Sequence, residues 1–166
     1  MTKIRVFRKT KNPLPKFESQ GAAAVDLRYD LSLCDTEMIE KHYFTTEDGK
    51  NGLLIPAGEV VMLHTGLHVE LPHGTWLALL PKSGLAGGLQ LSLANTPSVI
   101  YEDFRGEIKI FLYNFSKESR FIEENQRICQ AVLMPYIPFN WVEVADLTLL
   151  SETERDSNGI GSTGVQ

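Results

Sequence analysis

The sequence predicts an all-β domain of the sandwich or jelly-roll-barrel class. Its extended segments are short, glycine and proline bound most of them, and hardly any part of the chain has helical spacing of apolar residues. With 166 residues, 43% of them hydrophobic, the chain can bury one core without disulfides or metals. We therefore expect a single domain over residues 1–150, followed by a mobile Ser/Gly/Thr-rich tail over residues 151–166.

The first third of the chain contains two predicted strands and an acidic segment. Ile4 and Val6 alternate with polar residues in the first strand, residues 3–8. Residues 22–33 begin with small side chains and continue with alternating apolar residues, which predicts the second strand. Residues 34–52 are polar and have no clear period, so we predict a surface insertion there, in which residues 35–41 could form a short helical turn.

From residue 53 the predicted strands follow in quick succession, because turn-forming residues recur every few positions. These strands are residues 53–55, 60–71, 76–80, 89–94, 107–115, 127–134 and 140–146. Gly66 lies inside the longest of them and is predicted to mark a bend or a β-bulge. No repeat or linker divides the chain.

Composition excludes several classes of function. The net charge of −5 argues against duplex nucleic acid as a partner, because such binding depends on Lys and Arg neutralising phosphates. Cys34 and Cys129 have no metal-ligand spacing, and two buried thiols are favoured over a disulfide. The N-terminus lacks the apolar region of a signal peptide, and no apolar run reaches the length of a membrane span. We therefore expect a cytoplasmic protein without a membrane partner.

The most informative stretch is residues 95–107, N-T-P-S-V-I-Y-E-D-F-R-G-E. It lies between two alternating apolar runs, residues 89–94 and 108–113. This arrangement predicts the tip of a β-hairpin, rich in groups that could hold a small polar ligand.

Two further stretches offer groups that suit phosphate or a hydrated cation. Asp26 ends a run of small residues and could hold a water or a hydrated Mg²⁺, although a closely packed strand with one exposed carboxylate is the simpler interpretation. Lys82, Ser83 and Gly84 follow an apolar strand, where backbone N–H groups, a hydroxyl and an ammonium could form a phosphate nest. Taken by itself, this second pattern favours an ordinary turn.

The fourth and fifth stretches lie near the C-terminus. Alternation places Gln130 on a face with Ile128 and Val132, opposite Arg127, so its amide needs a partner, either a ligand oxygen or the backbone. Arg155 precedes a Gly/Ser/Thr-rich end that could close over phosphates as a lid, or could simply be a frayed terminus.

In this order and spacing, the five stretches resemble the five motifs of the trimeric dUTP pyrophosphatase (dUTPase) family. The similarity runs from about residue 22 to residue 164 and is strongest in residues 93–96, 103–107, 127–130 and 161–164. The resemblance implies a jelly-roll (β-clip) homotrimer whose three active sites are each assembled from three subunits. It also implies attack of water on the α-phosphorus of dUTP, which yields dUMP and pyrophosphate.

The resemblance also implies roles for individual residues. Mg²⁺ would be carried by the triphosphate, with Asp26 nearby through water and no direct protein ligand. Asn95 and the backbone of the hairpin would read uracil, and the tail would fold over the site of a neighbouring subunit. The residues implied to bind nucleotide are Lys82, Ser83, Gly84, Asn95, Ser98, Val99, Ile100, Phe104, Gln130, Arg155, Ile160, Gly161, Ser162 and Thr163.

The sequence departs from the family pattern at the catalytic position. Where the family has an aspartate that orients the attacking water, this chain has Tyr101. A phenol, with an ordinary pKa of about 10, is a poor general base at neutral pH. Glu102 and Asp103 are candidate substitutes, but adjacent residues of a strand face opposite ways, so Glu102 would need a local bulge to reach the site.

Further departures surround the nucleoside. Pro97 and Ser98 replace Ala-Gly, Phe104 replaces a tyrosine, and Ile160 replaces the aromatic residue that stacks on uracil. Lys82 replaces an arginine and exchanges a planar fork for a point charge. The other phosphate-binding positions are kept, which suggests that a nucleotide is still bound but read or processed differently. The alternative is a decaying site in which only the fold is under constraint. The kept positions are Ser83, Gln130, Arg155, Ser162 and Thr163.

Three hypotheses follow from these residues. The first is a Mg²⁺-dependent deoxynucleoside triphosphate pyrophosphohydrolase of the dUTPase type, with a base preference open to change. The second is a dUTPase-derived nucleotide-binding or regulatory protein without hydrolysis, which the tyrosine at position 101 favours. The third is an interaction protein that uses the fold as a scaffold and residues 34–52 to capture a partner, since function lives in the site and not in the fold.

Overall fold

The computed structural model describes residues 2–157 and confirms the all-β prediction. Two short α-helices and two single 3₁₀ turns, Leu31–Leu33 and Leu147–Leu149, interrupt eleven strands in this part of the chain. The strands and helices in order are β1 (Arg5–Arg8), β2 (Val25–Arg28), α1 (Thr36–His42), β3 (Tyr43–Thr45), β4 (Asn51–Ile55), β5 (Val60–Glu70), β6 (Thr75–Pro81), α2 (Ser83–Gly88), β7 (Leu91–Leu93), β8 (Ser98–Ile100), β9 (Glu107–Asn114), β10 (Arg120–Glu123) and β11 (Arg127–Pro135).

The strands form three antiparallel sheets. Their orders are β1-β5-β9-β7, β10-β4-β3 and β2-β11-β6-β8. β9 illustrates why the sequence pattern produces this arrangement: Ile108, Ile110 and Leu112 are almost fully buried, while the intervening residues are partly or fully exposed. Because side chains alternate across a strand, one face of each sheet supplies the core and the other faces solvent.

Gly66 forms the irregularity that its position predicts. It has a φ of +66°, and the register between β5 and β9 shifts between His64 and His68. The Glu107 carboxylate accepts a hydrogen bond from the Gly66 N–H at 2.8 Å, and the Gly66 carbonyl accepts one from the Lys9 N–H. The predicted bulge is therefore confirmed, and β1 pairs with the four residues of β5 that follow it.

The acidic segment 34–52 contains regular structure. Its first half forms α1, close to the predicted helical turn, although Asp35 makes no side-chain cap. Its second half contains β3, which pairs with β4. Neither β3 nor β10 was predicted, because each is three or four residues long and takes its stability from β4 and not from its own pattern.

The chain divides into two compact units, Met1–Tyr136 and Ile137–Gln166. The prediction of a strand at residues 140–146 is wrong, since in the described part of the second unit the regular element is the 3₁₀ turn Leu147–Leu149. Trp141 and Val142 are 90% and 84% exposed. An alternating segment becomes a strand only when another strand pairs with it, and within residues 137–157 none does.

Cys34 and Cys129 are both buried free thiols, as predicted. No helix in the described part of the chain is long and apolar enough to cross a membrane.

Candidate active site

Three of the stretches selected from the sequence meet around Asp26, on β2. The Asp26 carboxylate accepts a hydrogen bond from Lys82 Nζ at 2.7 Å and from Gln130 Nε2 at 3.3 Å. Arg127 Nη1 lies 3.2 Å from the same carboxylate. The Asp26 side chain is only 9% exposed. A carboxylate that is removed from water loses the hydration of its negative charge. Two cations and an amide replace that hydration here.

Strand pairing explains why these residues meet. β11 lies between β2 and β6, so that Gln130 is opposite Asp26 and Cys129 is opposite Pro81, the residue before Lys82. The Nε2 group of the Gln130 amide therefore has the Asp26 side chain as its partner.

The predicted placement of Arg127 on the face opposite Gln130 is wrong. The register between β2 and β11 shifts between Arg127 and Cys129, which marks a β-bulge. One extra residue reverses the side on which the preceding residue lies, so Arg127 and Gln130 both reach Asp26.

Three cations and two carboxylates, those of Glu123 and Glu124, line a cavity beside this cluster. Arg28, Lys82 and Arg127 line a cavity of about 350 Å³ together with residues 123–126. Arg28 donates to the Asn125 carbonyl at 2.9 Å, and Arg127 also pairs with Glu18 at 3.1 Å. Such a surface suits an anionic ligand.

Arg28 and Arg127 were not among the predicted site residues. The signal for Arg28 was present, because it lies two positions after Asp26 and thus on the same face of a strand. Arg127 could not be selected from alternation, because the bulge in β11 changes the face on which its side chain lies.

Lys82, Ser83 and Gly84 occupy the start of a helix and not a simple turn. α2 begins at Ser83, and the Lys82 carbonyl accepts hydrogen bonds from the N–H groups of Leu85 and Ala86. Leu85 is buried and anchors the helix, while Ser83 and Gly84 are exposed. Ser83 is thus the first residue of an exposed helix start, directly after Lys82.

The stretch 95–107 is more than a hairpin tip. β7 and β9 pair as predicted, with Leu93 opposite Leu112. Between them, however, β8 leaves this sheet and pairs with β6, with Ser98 opposite Leu79 and Ile100 opposite Leu77. β8 is an edge strand, so one side of its backbone, including that of Val99, is free to bond a ligand. Asn95 is exposed between β7 and β8.

The aromatic residues of the tip are differently placed. Tyr101 is 64% exposed, and its hydroxyl makes no hydrogen bond within residues 2–157. Phe104 is 38% exposed and its ring lies over Gly106, where an added Cβ would come within 2.4 Å of the ring. Gly106 therefore provides the space that the Phe104 ring occupies.

The two candidate substitute carboxylates also differ. The Glu102 carboxylate accepts the Gly74 N–H at 2.6 Å and contacts His73 Nδ1 at 3.0 Å. The His73 contact and then the Gly74 N–H hold the pKa of the Glu102 carboxyl below its ordinary value. Glu102 is thus engaged with the β5–β6 turn. Asp103 is exposed, and in the described part of the chain its carboxylate has no hydrogen bond.

A single chain keeps Tyr101 apart from the Asp26 cluster. Ile100 is opposite Leu77, near the start of β6, whereas Lys82 follows the end of β6. Trp76 and Lys82 are six positions apart in the chain, which corresponds to about 20 Å along a strand. The tip and the cluster therefore mark opposite ends of β6.

The last predicted stretch is only partly within the described residues. Arg155 is exposed, in the second unit. Ile160, Gly161, Ser162 and Thr163 lie outside the described residues.

No direct metal site accompanies these residues. Among residues 2–157, no three His, Cys, Asp or Glu side chains are grouped so that they could hold a metal ion. Asp26 already contacts Lys82 and Arg127. This donor set fits a cation that arrives with an anionic ligand, not one held by the protein alone.

Comparisons with known proteins show the family to which this chain is similar. The dUTPase family model matches residues 50–164 of the chain. The deoxyuridine 5′-triphosphate nucleotidohydrolase of Rhizobium etli is 37% identical over 152 residues, covering 92% of this chain and 85% of the relative. The enzyme of the same name from Fusobacterium nucleatum is 33% identical over 161 residues, covering 97% and 96%.

A solved structure has the same fold. The dUTPase G164S mutant of Staphylococcus bacteriophage 80alpha, with dUpNHpp, superposes with a TM-score of 0.73. The superposition covers 99% of this chain and 100% of the phage chain, and the two sequences are 18% identical.

Proposed function

This chain belongs to the dUTPase family, and we propose on that premise that it hydrolyses dUTP to dUMP and pyrophosphate. The observation that carries the proposal is the meeting of Asp26, Lys82 and Gln130 around one carboxylate. The pairing of β2, β11 and β6 thus gathers a carboxylate, an ammonium and an amide from three stretches that are far apart in the sequence. The substitutions around the nucleoside allow the site to prefer a base other than uracil.

The cationic side of the cluster binds the triphosphate. Lys82, Arg127 and Arg28 supply three positive charges, against the carboxylate of Asp26 beside them and those of Glu123 and Glu124 in the same cavity. Ser83, the residue after Lys82, is exposed. Before nucleotide binds, Asp26 neutralises part of this charge. A triphosphate then competes for Lys82, whose side chain is 27% exposed and can turn towards solvent.

The edge strand β8 and the tip bind the nucleoside. The free backbone groups of β8 act as donors and acceptors for the edge of the base, as an added strand would. Pro97 has no backbone N–H, so the chain offers one donor fewer to the edge of the base, and this limits which bases can be bound. Asn95 supplies an amide, and the Phe104 ring supplies a flat surface for the sugar.

Each site is completed by other copies of the chain in a homotrimer. The separation of about 20 Å between the tip and the cluster along β6 leaves a single chain with two half-sites. A neighbouring tip beside each cluster would bring base, sugar and phosphate groups together. The tail with Arg155 and Ser162 would cover the nucleotide.

The residues present fit Mg²⁺ carried by the triphosphate. Asp26 would contact it through water, because Arg127 and Gln130 contact the carboxylate directly. When bound, Mg²⁺ neutralises phosphate charge that develops as the bond to pyrophosphate breaks. Lys82, Arg127 and Gln130 orient the phosphate chain for this step.

A second candidate function is nucleotide binding without hydrolysis. Tyr101 occupies the position where a carboxylate would orient water, and Glu102 is engaged with Gly74 and His73. Asp103 is then the carboxylate of the tip that is free to act as the base.

One experiment distinguishes the two functions. Wild-type protein is incubated with Mg²⁺ and each deoxynucleoside triphosphate, and pyrophosphate release is measured beside binding of dUpNHpp. Release from dUTP supports the hydrolase. Binding without release from any nucleotide contradicts it and supports the binding protein.

Replacement of Tyr101 sharpens the result. Tyr101→Asp is expected to raise turnover by roughly a hundredfold, the lower range for a positioned general base. Tyr101→Phe is the matched control and should leave turnover close to that of the wild type. Equal rates for both variants would mean that position 101 does not touch the attacking water.

A further inference from the structure

We propose that Glu102 is a positioning residue that fixes the tip of residues 101–106 to the β5–β6 turn. The proposal rests on the proposed function, because the tip matters to catalysis only if it holds the nucleoside. It assigns to Glu102 a mechanical role that acts through its neighbours, and not contact with the reacting atoms.

The Glu102 carboxylate contacts two neighbouring residues of the β5–β6 turn. The Gly74 N–H donates to it at 2.6 Å, and His73 Nδ1 lies at 3.0 Å. One carboxylate thus joins the tip to the β5–β6 turn.

Gly74 makes this junction specific. Its φ of +76° belongs to the left-handed region that glycine adopts readily. The Gly74 N–H is directed at Glu102, while the Gly74 carbonyl accepts the Tyr136 N–H at 3.1 Å. The backbone N–H of Gly74 therefore bonds the tip through Glu102, and its carbonyl bonds Tyr136, the residue after β11.

The backbone of the tip is closed on itself at the same point. Arg105 Nη1 donates to the carbonyls of Glu102 and Phe104 at 2.6 and 3.0 Å. The Phe104 N–H donates to the Tyr101 carbonyl at 3.2 Å. The turn is thus compact, and fixing Glu102 fixes the direction of the whole turn.

Few other bonds hold the tip in place. Apart from those of Glu102, the hydrogen bond that ties residues 101–106 to another element within the described chain joins the His68 ring to the Arg105 carbonyl at 3.0 Å. Tyr101 and Asp103, on either side of Glu102, are exposed. Loss of the carboxylate should therefore free the tip while leaving the core unchanged, and a loosened tip costs affinity and orientation.

Glu102→Ala, Glu102→Gln and Glu40→Ala test the proposal. Glu40 is an exposed carboxylate of α1 without a side-chain hydrogen bond in residues 2–157, and serves as the matched control. Hydrogen exchange by mass spectrometry is followed in residues 72–76 and 101–106. KM and kcat for dUTP and the thermal midpoint are measured in parallel.

Glu102→Ala should speed exchange in these two segments and raise KM roughly tenfold, the factor for one lost charge-assisted hydrogen bond. Its thermal midpoint should stay within about 3 °C of the wild type, because no core contact is lost. Glu102→Gln retains an acceptor for the Gly74 N–H and should stay within about threefold of the wild-type KM.

Exchange and KM that are unchanged in Glu102→Ala, or changed as in Glu40→Ala, would overturn the proposal. A Glu102→Gln variant as impaired as Glu102→Ala, with normal exchange, would also overturn it, because the charge would then act chemically. If wild-type protein releases no pyrophosphate, the proposed hydrolysis fails. The affinity for dUpNHpp then replaces KM, and the exchange result still decides the role of Glu102.

Discussion

Replacing Asp26 by asparagine should destabilise the protein through the two cations that it neutralises. The carboxylate is 9% exposed and lies 2.7 Å from Lys82 and 3.2 Å from Arg127. A hydrogen bond to a charged group contributes about 1.5–3 kcal/mol. Lys82 and Arg127 are 27% and 40% exposed, so water recovers part of the loss when the negative charge is removed. We expect the free energy of unfolding to fall by about 2 kcal/mol.

Urea unfolding followed by far-UV circular dichroism measures this change, at one protein concentration because assembly would add to the apparent stability. Glu18→Gln is the matched control, since Glu18 contacts the same Arg127 at 3.1 Å but is 56% exposed. An exposed pair of this kind should cost less than about 0.5 kcal/mol. If Asp26→Asn costs no more than Glu18→Gln, burial of the carboxylate does not strengthen the cluster and the reasoning is refuted.

Two further predictions concern the fold and its chemistry. Gly66→Ala should cost about 2–4 kcal/mol in unfolding free energy, because it combines positive φ with overpacking: an added Cβ would lie 2.8 Å from the Thr10 backbone nitrogen. Gly58→Ala has similar φ but open space around it, so a denaturation midpoint equal to that of Gly66→Ala would contradict the clash. Burial, and then Asp26, raises the pKa of the Cys129 thiol to about 12. The stability that the protonated thiol contributes is therefore complete below the pKa of the unfolded chain, about 8.5, and is lost as the pH rises towards 12. Iodoacetamide at pH 8 should therefore label Cys129 only after unfolding, and labelling of the native protein, detected by peptide mass, would contradict this.

The local signals of the sequence were sufficient for the class of fold. Alternation of apolar residues in β9 and the turn residues between strands depend only on near neighbours, so they can be interpreted without the structure. The same holds for Gly66, whose place inside a long strand predicted the bulge that β5 contains. It does not hold for residues 140–146, whose alternation predicted a strand that finds no partner in the described second unit.

The candidate site was only partly predictable for a related reason. The sequence selected Asp26, Lys82 and Gln130 one by one, but the contacts between them join residues 56 and 104 positions apart. A bulge in β11 was needed to bring Arg127 to the same carboxylate, and a one-residue irregularity leaves no trace in an alternating pattern.

The stretch 95–107 shows the division most clearly. The sequence alone determined that it joins β7 to β9 and that Tyr101 stands where the family has a carboxylate. Only the tertiary structure decided that β8 leaves this pair for the edge of β6 and that Glu102 bonds Gly74. The physical reason is that side-chain alternation is a property of one strand, whereas the choice of its partner depends on hydrogen bonds to residues that are distant in the chain.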